Sequence, residues 1–164
     1  MLSAPALLTH AHCLDDFASG EPSLDEWLKR RALANQISGA TRTFVVCDAD
    51  LVVAYYSLAS GAVSVKEAVG RFRRNMPEPI PIVLLARLAV AETHHRRGLG
   101  RALFQDAARR VIAAADTIGI RGLLVHALSK DAAAFYSRLG LYPSPLDSQL
   151  FMVTIAELRA SLSG

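Results

Sequence analysis

The chain has 164 residues, of which 52% are hydrophobic and 20% are charged, and its formal net charge at pH 7 is +3. This length and composition predict one folded domain over residues 1–164, and they exclude intrinsic disorder and a disulfide-stapled miniprotein. The two cysteines, Cys13 and Cys47, are too few for a disulfide framework, so we expect a cytoplasmic protein. The first residues lack the pattern of a signal peptide, and no apolar run approaches the ~18 residues that span a bilayer, so no membrane association is expected.

Basic residues are concentrated in the middle of the chain. Residues 1–28 carry five acidic side chains and no Lys or Arg, whereas residues 29–74 carry eight basic side chains against three acidic ones. Fifteen of the 18 basic residues are Arg, whose planar guanidinium can hold a phosphate through two hydrogen bonds. A GC-rich coding bias toward Arg explains the same composition, so the pattern permits a polyanionic partner without requiring one.

The first predicted element is a helix. Residues 19–23 have the composition of a turn, and Ser23 followed by Glu26 has the spacing of a capping box. These signals predict a helix over residues 24–37, which the Ser-Gly pair at residues 38–39 would end.

A β-hairpin is predicted next. Residues 43–47 and 51–58 are apolar runs rich in β-branched and aromatic side chains, and a short acidic turn at residues 48–50 joins them. Residues 64–72 predict a weak segment that is helical at its start. The alternating prolines in residues 71–81 predict an extended connector, because the residue before a proline avoids the helical region.

The second half of the chain alternates between strands and helices. The predicted elements are, in order, a strand at 82–90, a helix at 101–118, a strand at 123–128, a helix at 131–139, a strand at 149–155 and a short C-terminal helix. The long helix places its apolar residues on one face, namely Leu103, Phe104, Ala107, Val111, Ala114 and Ile118. The fold class is therefore α/β with a central mixed sheet.

Two glycines, Gly98 and Gly100, open the longest predicted helix. A glycine-rich turn at a helix start exposes backbone N–H groups at the positive end of the helix dipole, which suits a pyrophosphate. The turn is no dinucleotide-binding fingerprint, because Leu103 stands where the third glycine would be, and no Gly-Lys-Ser/Thr follows for a phosphate-binding P-loop. A simple strand-to-helix turn needs the same two glycines.

A second motif makes the pattern specific. Residues 132–141 read A-x-x-F-Y-x-x-L-G-L, and they follow the strand at 84–90 and the turn His95-Arg-Arg-Gly98-Leu-Gly-Arg-Ala. Together these motifs resemble the GNAT superfamily of acetyl-CoA-dependent N-acetyltransferases over about residues 40–158. The chain departs from the family pattern at His95, where Gln or Arg is usual.

The GNAT resemblance implies acetyl-CoA as the acetyl donor and a mixed sheet flanked by helices. It implies that backbone N–H groups around residues 88–90 bind the oxyanion and that Tyr136 is the catalytic general acid. A phenol with a pKa of about 10 is a competent donor to a thiolate whose acid has a pKa of about 8.5, although a core tyrosine beside Phe135 fits the residue equally well. The implied cofactor-binding residues are Leu88, Ala89, Val90, His95, Arg96, Arg97, Gly98, Leu99, Gly100, Arg101, Ser129, Phe135 and Tyr136.

Four further segments resemble one branch of the superfamily, the TacT/AtaT-like GNAT toxins of bacterial type II toxin–antitoxin modules. These segments are residues 20–28, 39–46, 117–129 and 142–145. The resemblance implies acetylation of the α-amino group of an aminoacyl-tRNA, which blocks translation. It also implies a homodimer and a ribbon-helix-helix antitoxin as partners.

The sequence offers no compelling general base. Glu92 and His126 are the nearest candidates, and each has an equally good structural interpretation. A lysine amine with a pKa of about 10.4 would need a base, whereas an α-amino group with a pKa of about 7.7–8.0 is already partly neutral near pH 7. The sequence therefore favours an α-amine substrate. His94 and His95 are predicted to be solvated loop residues, and without a third ligand no metal is expected.

The candidate tRNA-binding residues are basic side chains that could flank an acceptor cleft. They are Arg30, Arg31, Arg42, Arg73, Arg74 and Arg87, with Arg71 and Arg97 beside them. Solvated helix faces explain some of them as well, and Trp27 is predicted to be a core anchor rather than a base-stacking platform. Two other functions stay open: acetylation of a small amine or a protein N-terminus, and a non-catalytic domain that binds CoA or a partner.

Overall fold

The computed structural model of the chain describes residues 1–163. The elements are β1 (Ala6–Leu7), α1 (Pro22–Arg30), α2 (Ala32–Ser38), β2 (Arg42–Asp48), β3 (Leu51–Val63), α3 (Gly70–Arg73), β4 (Ile80–Val90), α4 (Leu99–Ala115), β5 (Gly122–His126), α5 (Lys130–Arg138), β6 (Tyr142–Pro143), β7 (Leu150–Thr154) and α6 (Ile155–Ser163). Short 3-10 turns cover Val65–Glu67 and Glu92–His94. None of the described helices is long and apolar enough to cross a membrane.

The seven strands form one sheet in the order β1-β2-β3-β4-β5-β7-β6. The pair β4–β5 is parallel, whereas β1–β2, β2–β3, β5–β7 and β6–β7 are antiparallel. The helix α4 connects the two parallel strands, as a parallel pair requires a crossover. The predicted α/β class with a mixed sheet is therefore confirmed.

The chain forms two compact units. The first unit comprises residues 1–59 and 86–107, and the second comprises the described residues 60–85 and 108–163. In the first unit Tyr55 and Tyr56 are fully buried, and their rings pack against Phe17 and Phe44 respectively. The Tyr56 hydroxyl donates a hydrogen bond to Asp106 on α4.

The core of the second unit lies around Phe72, Ile80 and Met152, which are all fully buried. Gly122 at the start of β5 has no room for a side chain. A Cβ there would lie 2.1 Å from the carbonyl oxygen of Val153 and 2.6 Å from a ring carbon of Phe72. Glycine is thus required at this position by close packing of the backbone of β7.

The prediction of one continuous helix over residues 24–37, capped by Ser23, is wrong on both points. The chain breaks at Arg31, whose φ of −120° lies outside the helical range, so α1 and α2 are separate helices. α1 begins after Glu21 without a side-chain cap, and Pro22 stands in its first turn, where the proline ring restricts φ to a helical value. Asp25 accepts hydrogen bonds from the backbone N–H and hydroxyl of Ser19 instead.

The longest helix also differs at its end. α4 ends at Ala115, three residues before the predicted end, so Ile118 lies outside the helix and is 59% exposed rather than buried. The apolar positions Leu103, Ala107 and Val111 are buried as predicted. The two-residue strands β1 and β6 were not predicted, because two residues carry no periodic signal.

Candidate functional site

The turn before α4 has a backbone shape that few residues adopt. Arg96 and Gly98 have φ values of +64° and +74°, in the left-handed region. Nothing lies within 4 Å of the place where a Cβ of Gly98 would be, so the backbone is open to an approaching group. The carbonyl of Gly98 accepts the first α4 hydrogen bond from the backbone of Ala102, at 3.1 Å. The turn therefore presents free N–H groups at the start of a 17-residue helix.

Three cations surround this turn. Arg96, Arg97 and Arg101 are exposed. Within residues 1–163 none of their side chains makes a hydrogen bond or an ion pair. Open backbone at a helix N-terminus, together with uncommitted guanidinium groups, has the chemistry that a pyrophosphate needs, and residues 96–101 are the ones predicted to bind it. All of these residues belong to the first unit.

The two histidines that precede the turn differ from each other. His94 was predicted to be solvated, but it is 8% exposed, with Nε2 3.0 Å from Oδ2 of Asp48 and Nδ1 2.7 Å from Oγ1 of Thr93. His95 is exposed, and its Nε2 donates a hydrogen bond to the carbonyl of Val90 at 2.7 Å. The prediction for His94 failed because its partner lies 46 residues away in the sequence. No group of three His, Cys, Asp or Glu side chains in the described residues could hold a metal ion.

The end of β4 leads into this turn. Ala89 is buried, and Leu88 and Val90 are half-buried, so the strand backbone predicted to bind the oxyanion lies at a protected position. Glu92 is exposed, and its carboxylate lies next to Gly20, 3.6 Å from the place where a Cβ would be.

The second unit carries the predicted general acid. Tyr136 on α5 is 6% exposed, with its ring 5.1 Å from that of Phe135 and 6.4 Å from that of Phe151, centroid to centroid. Burial raises the pKa of its hydroxyl far above the usual value. Ser129 caps α5, where its hydroxyl accepts a hydrogen bond from the backbone of Ala132 at 3.1 Å.

The predicted tRNA-binding arginines divide into two groups. Arg30 pairs with Glu26 at 2.7 Å, and Arg42 donates to the carbonyls of residues 36 and 41. The side chains of Arg31, Arg73 and Arg74 are exposed and have no partner among the described residues. Arg73 and Arg74 belong to the second unit and the others to the first.

Arg87 has a setting that the sequence did not predict. Its guanidinium lies 4.9 Å from the centre of the Trp27 ring and donates to the carbonyl of Ala86 at 2.8 Å. Trp27 is half-buried and stacks on Tyr55, with ring centroids 6.1 Å apart and planes inclined by 11°. The Tyr55 hydroxyl donates to the carbonyl of Leu24 at 2.7 Å. Arg87 is therefore held in place by a cation–π contact.

Arg71, by contrast, is committed within the second unit. Its guanidinium lies 3.9 Å from the centre of the Tyr142 ring and 3.4 Å from the carboxylate of Glu157. Although burial opposes ionisation of Glu157, hydrogen bonds from the backbone and hydroxyl of Thr154 hold its pKa below the usual value. Arg71 is thus part of a structural cluster.

Comparison with known proteins gives three findings. A family model described as an acetyltransferase (GNAT) domain matches residues 40–140. A curated protein of Mycobacterium tuberculosis strain H37Rv, named tRNA-acetylating toxin, is 48% identical over 158 residues, which cover 96% of this chain and 95% of that protein. Two solved structures share the fold. One is AtaT complexed with acetyl-methionyl-tRNAfMet (TM-score 0.90, 24% identity, 99% of each chain covered), and the other is AtaTR bound with AcCoA (TM-score 0.85, 25% identity, 98% of each chain covered).

Proposed function

This chain belongs to the GNAT acetyltransferase family, and from that premise we propose that it acetylates the α-amino group of aminoacyl-tRNA, with acetyl-CoA as donor, and so stops translation. The family resemblance drawn from the two sequence motifs is thereby confirmed. The observation that carries the proposed substrate is the 48% identity, over almost the whole chain, to a tRNA-acetylating toxin. The open turn before α4, with three arginines in or beside it, supports acetyl-CoA as the acetyl donor.

The turn of residues 95–101 is proposed to bind the pyrophosphate of acetyl-CoA. Its backbone N–H groups and the guanidinium groups of Arg96, Arg97 and Arg101 would neutralise the phosphate charges. Leu99 and Gly100 form the first turn of α4, so their N–H groups have no carbonyl partner within the helix. Ser129 and Phe135, which belong to the second unit, stay predicted cofactor-binding residues.

Acetyl-CoA, when bound, supplies the acetyl group as a thioester. The transfer forms a bond between the amine nitrogen and the acetyl carbon and breaks the bond from that carbon to sulfur. The nitrogen loses a proton and the departing thiolate gains one. Backbone N–H groups at residues 88–90 are proposed to stabilise the oxyanion, and Tyr136 is proposed to donate the proton to sulfur.

The acceptor amine is proposed to react through the fraction that is already neutral. Two residues were considered as general bases, Glu92 and His126, and both are exposed. Within the described residues, the side chain of neither one makes a hydrogen bond. An α-amino group has a pKa of about 7.7–8.0, so a useful fraction is neutral at physiological pH without a side-chain base. This favours an aminoacyl group over a lysine side chain.

Binding of the tRNA body is assigned to the arginines that the fold leaves uncommitted. Arg31, Arg73 and Arg74 are free to contact phosphates, whereas Arg30 and Arg42 would first have to leave partners inside the protein. Arg87 keeps its cation–π contact and would act as a fixed charge. As a type II toxin, the protein is expected to work as a cytoplasmic homodimer and to be neutralised by a ribbon-helix-helix antitoxin.

The experiment that tests this function is acetyl transfer to charged tRNA. We expect radiolabel from acetyl-CoA to enter total aminoacyl-tRNA and to be lost when the ester is hydrolysed by mild base. Deacylated tRNA is the matched control and should stay unlabelled. Label on free amines or peptides but not on charged tRNA would favour the alternative acceptors. No transfer to any acceptor would favour the non-catalytic alternative.

A further inference from the structure

We propose that His94 is a positioning residue, which holds the turn of residues 95–101 in its bent shape through a hydrogen bond to Asp48 and thereby sets the affinity for acetyl-CoA. This inference rests on the proposed role of that turn in binding the pyrophosphate. All of the residues involved lie in the first unit.

The His94 ring is fixed at both nitrogens. With Nε2 protonated, it donates to Oδ2 of Asp48 at 3.0 Å, and Nδ1 then accepts from the hydroxyl of Thr93 at 2.7 Å. In this arrangement both ring nitrogens have a hydrogen-bond partner, and the residue is only 8% exposed. The hydrogen bond from His94 also lowers the pKa of Asp48, so this carboxyl remains an ionised acceptor at neutral pH.

Asp48 is a firm anchor because it is the last residue of β2 and pairs with Leu51 across the hairpin. Its second oxygen, Oδ1, lies 3.3 Å from the exposed amino group of Met1. Within residues 1–163 this amino group is the charged group that contacts the His94–Asp48 pair. The hydrogen bond therefore ties His94, two residues before Arg96, to the turn end of the β2–β3 hairpin.

The turn needs such an anchor because of its backbone shape. Arg96 has a φ of +64°, which a residue with a Cβ adopts at a steric cost. His95, between His94 and Arg96, is held by its own bond to the carbonyl of Val90 at 2.7 Å. His94 and His95 are thus both anchored directly before Arg96. A strained backbone conformation of this kind persists where several surrounding contacts hold it in place.

Loss of the anchor should lower the fraction of molecules in which the turn is ready to bind. The apparent dissociation constant rises by the inverse of that fraction, so a ready fraction of roughly one tenth would weaken binding about tenfold. The chemical step should not change once acetyl-CoA is bound. We therefore expect His94→Ala to raise KM for acetyl-CoA about tenfold with kcat nearly unchanged.

The test compares five variants with the wild type: His94→Ala, Asp48→Ala, Asp48→Asn, Arg96→Gly and the double variant His94→Ala/Arg96→Gly. Acetyl-CoA affinity is measured by calorimetric titration, and KM for acetyl-CoA and kcat are measured with charged tRNA. His94→Ala and Asp48→Ala should weaken acetyl-CoA binding to the same degree, and Asp48→Asn, which keeps a carbonyl acceptor, should restore most of it. In an Arg96→Gly background, where positive φ carries no steric cost, the penalty of His94→Ala should shrink. This last comparison separates positioning of the turn from a general packing role.

The outcomes distinguish this inference from the proposed function. If the wild type itself fails to bind acetyl-CoA, the proposed function fails. If the wild type binds but His94→Ala and Asp48→Ala bind equally well, or lose kcat instead of affinity, the inference is overturned. The inference is also overturned if His94→Ala weakens acetyl-CoA binding equally in the wild-type and Arg96→Gly backgrounds. If His94→Ala does not fold, Asp48→Ala, which leaves the ring packing in place, decides the question.

Discussion

Tyr136 carries its proton at physiological pH, which a general acid requires before each transfer. Burial raises its pKa, so the phenol stays protonated over the whole physiological pH range. An acid that is always protonated is ready in every catalytic cycle.

The variant Tyr136→Phe should fold normally and lose most turnover. Only the hydroxyl is removed, and the ring contacts with Phe135 and Phe151 are kept. A general acid contributes typically 10²–10⁴-fold, so kcat should fall by about that factor while acetyl-CoA binding is retained. Single-turnover kinetics with charged tRNA measure the effect. An unchanged kcat would assign Tyr136 a structural role only.

The variant Gly98→Ala should weaken acetyl-CoA binding without unfolding the protein. No atom lies within 4 Å of the new methyl group, so the cost comes from the φ of +74°, which is worth about 1–2 kcal/mol for alanine. Relaxation of the turn would misdirect its N–H groups. Gly119→Ala is the matched control, because that site is equally open and lacks a positive φ. Equal acetyl-CoA affinities in the two variants would contradict the assignment of the turn.

At the scale of elements, the two helices with a serine near the start differ in how they begin. α5 is capped by Ser129, whereas Ser23 lies inside α1 and caps nothing. Ser129→Ala should therefore cost about 1 kcal/mol of unfolding free energy, and Ser23→Ala should change it by less than about 0.5 kcal/mol. Urea denaturation of both variants measures the difference. Equal destabilisation by the two would contradict the observed caps.

At the scale of the whole molecule, binding of tRNA should depend on salt through the uncommitted arginines. The double variant Arg73→Ala/Arg74→Ala should bind charged tRNA more weakly, with a salt slope reduced by about 0.7–0.9 for each phosphate that the variant leaves unneutralised. Filter binding at several salt concentrations measures the slope. The control Arg109→Ala/Arg159→Ala removes the same charge from α4 and α6 and should keep the wild-type slope. Identical slopes in both double variants would exclude Arg73 and Arg74 from the interface.

Stability of the whole protein should decline at alkaline pH. Burial raises the pKa of Tyr55 and of Tyr136, so the folded state keeps both protons while the unfolded state loses them above about pH 10. The contribution of these two hydroxyls to the free energy of unfolding is complete below the pKa that tyrosine has in the unfolded chain. It is lost as the pH rises beyond that value. Urea midpoints at roughly pH 8 and pH 11 should show the loss, and the double variant Tyr55→Phe/Tyr136→Phe should lose less.

Local sequence patterns were enough to predict the α/β class of the fold and to identify the two family motifs. Four elements could be predicted because their own residues have a clear periodicity or are bounded by turn residues. They are the β2–β3 hairpin, the strand β4 and the helices α4 and α5. The glycine turn and Tyr136 were found because their motifs are short and contiguous. Their individual roles remain predictions.

Features that depend on partners distant in sequence could not be predicted, and they became visible in the folded chain. The burial of His94 depends on Asp48, 46 residues earlier, and the requirement for Gly122 depends on the carbonyl of Val153 in a different strand. Likewise, Arg71 is committed because Glu157 lies beside it, whereas the side chains of Arg73 and Arg74 have no partner within residues 1–163. Local sequence fixes which backbone shapes are accessible, but a hydrogen bond, an ion pair or a close approach exists only once the fold has brought two distant segments together.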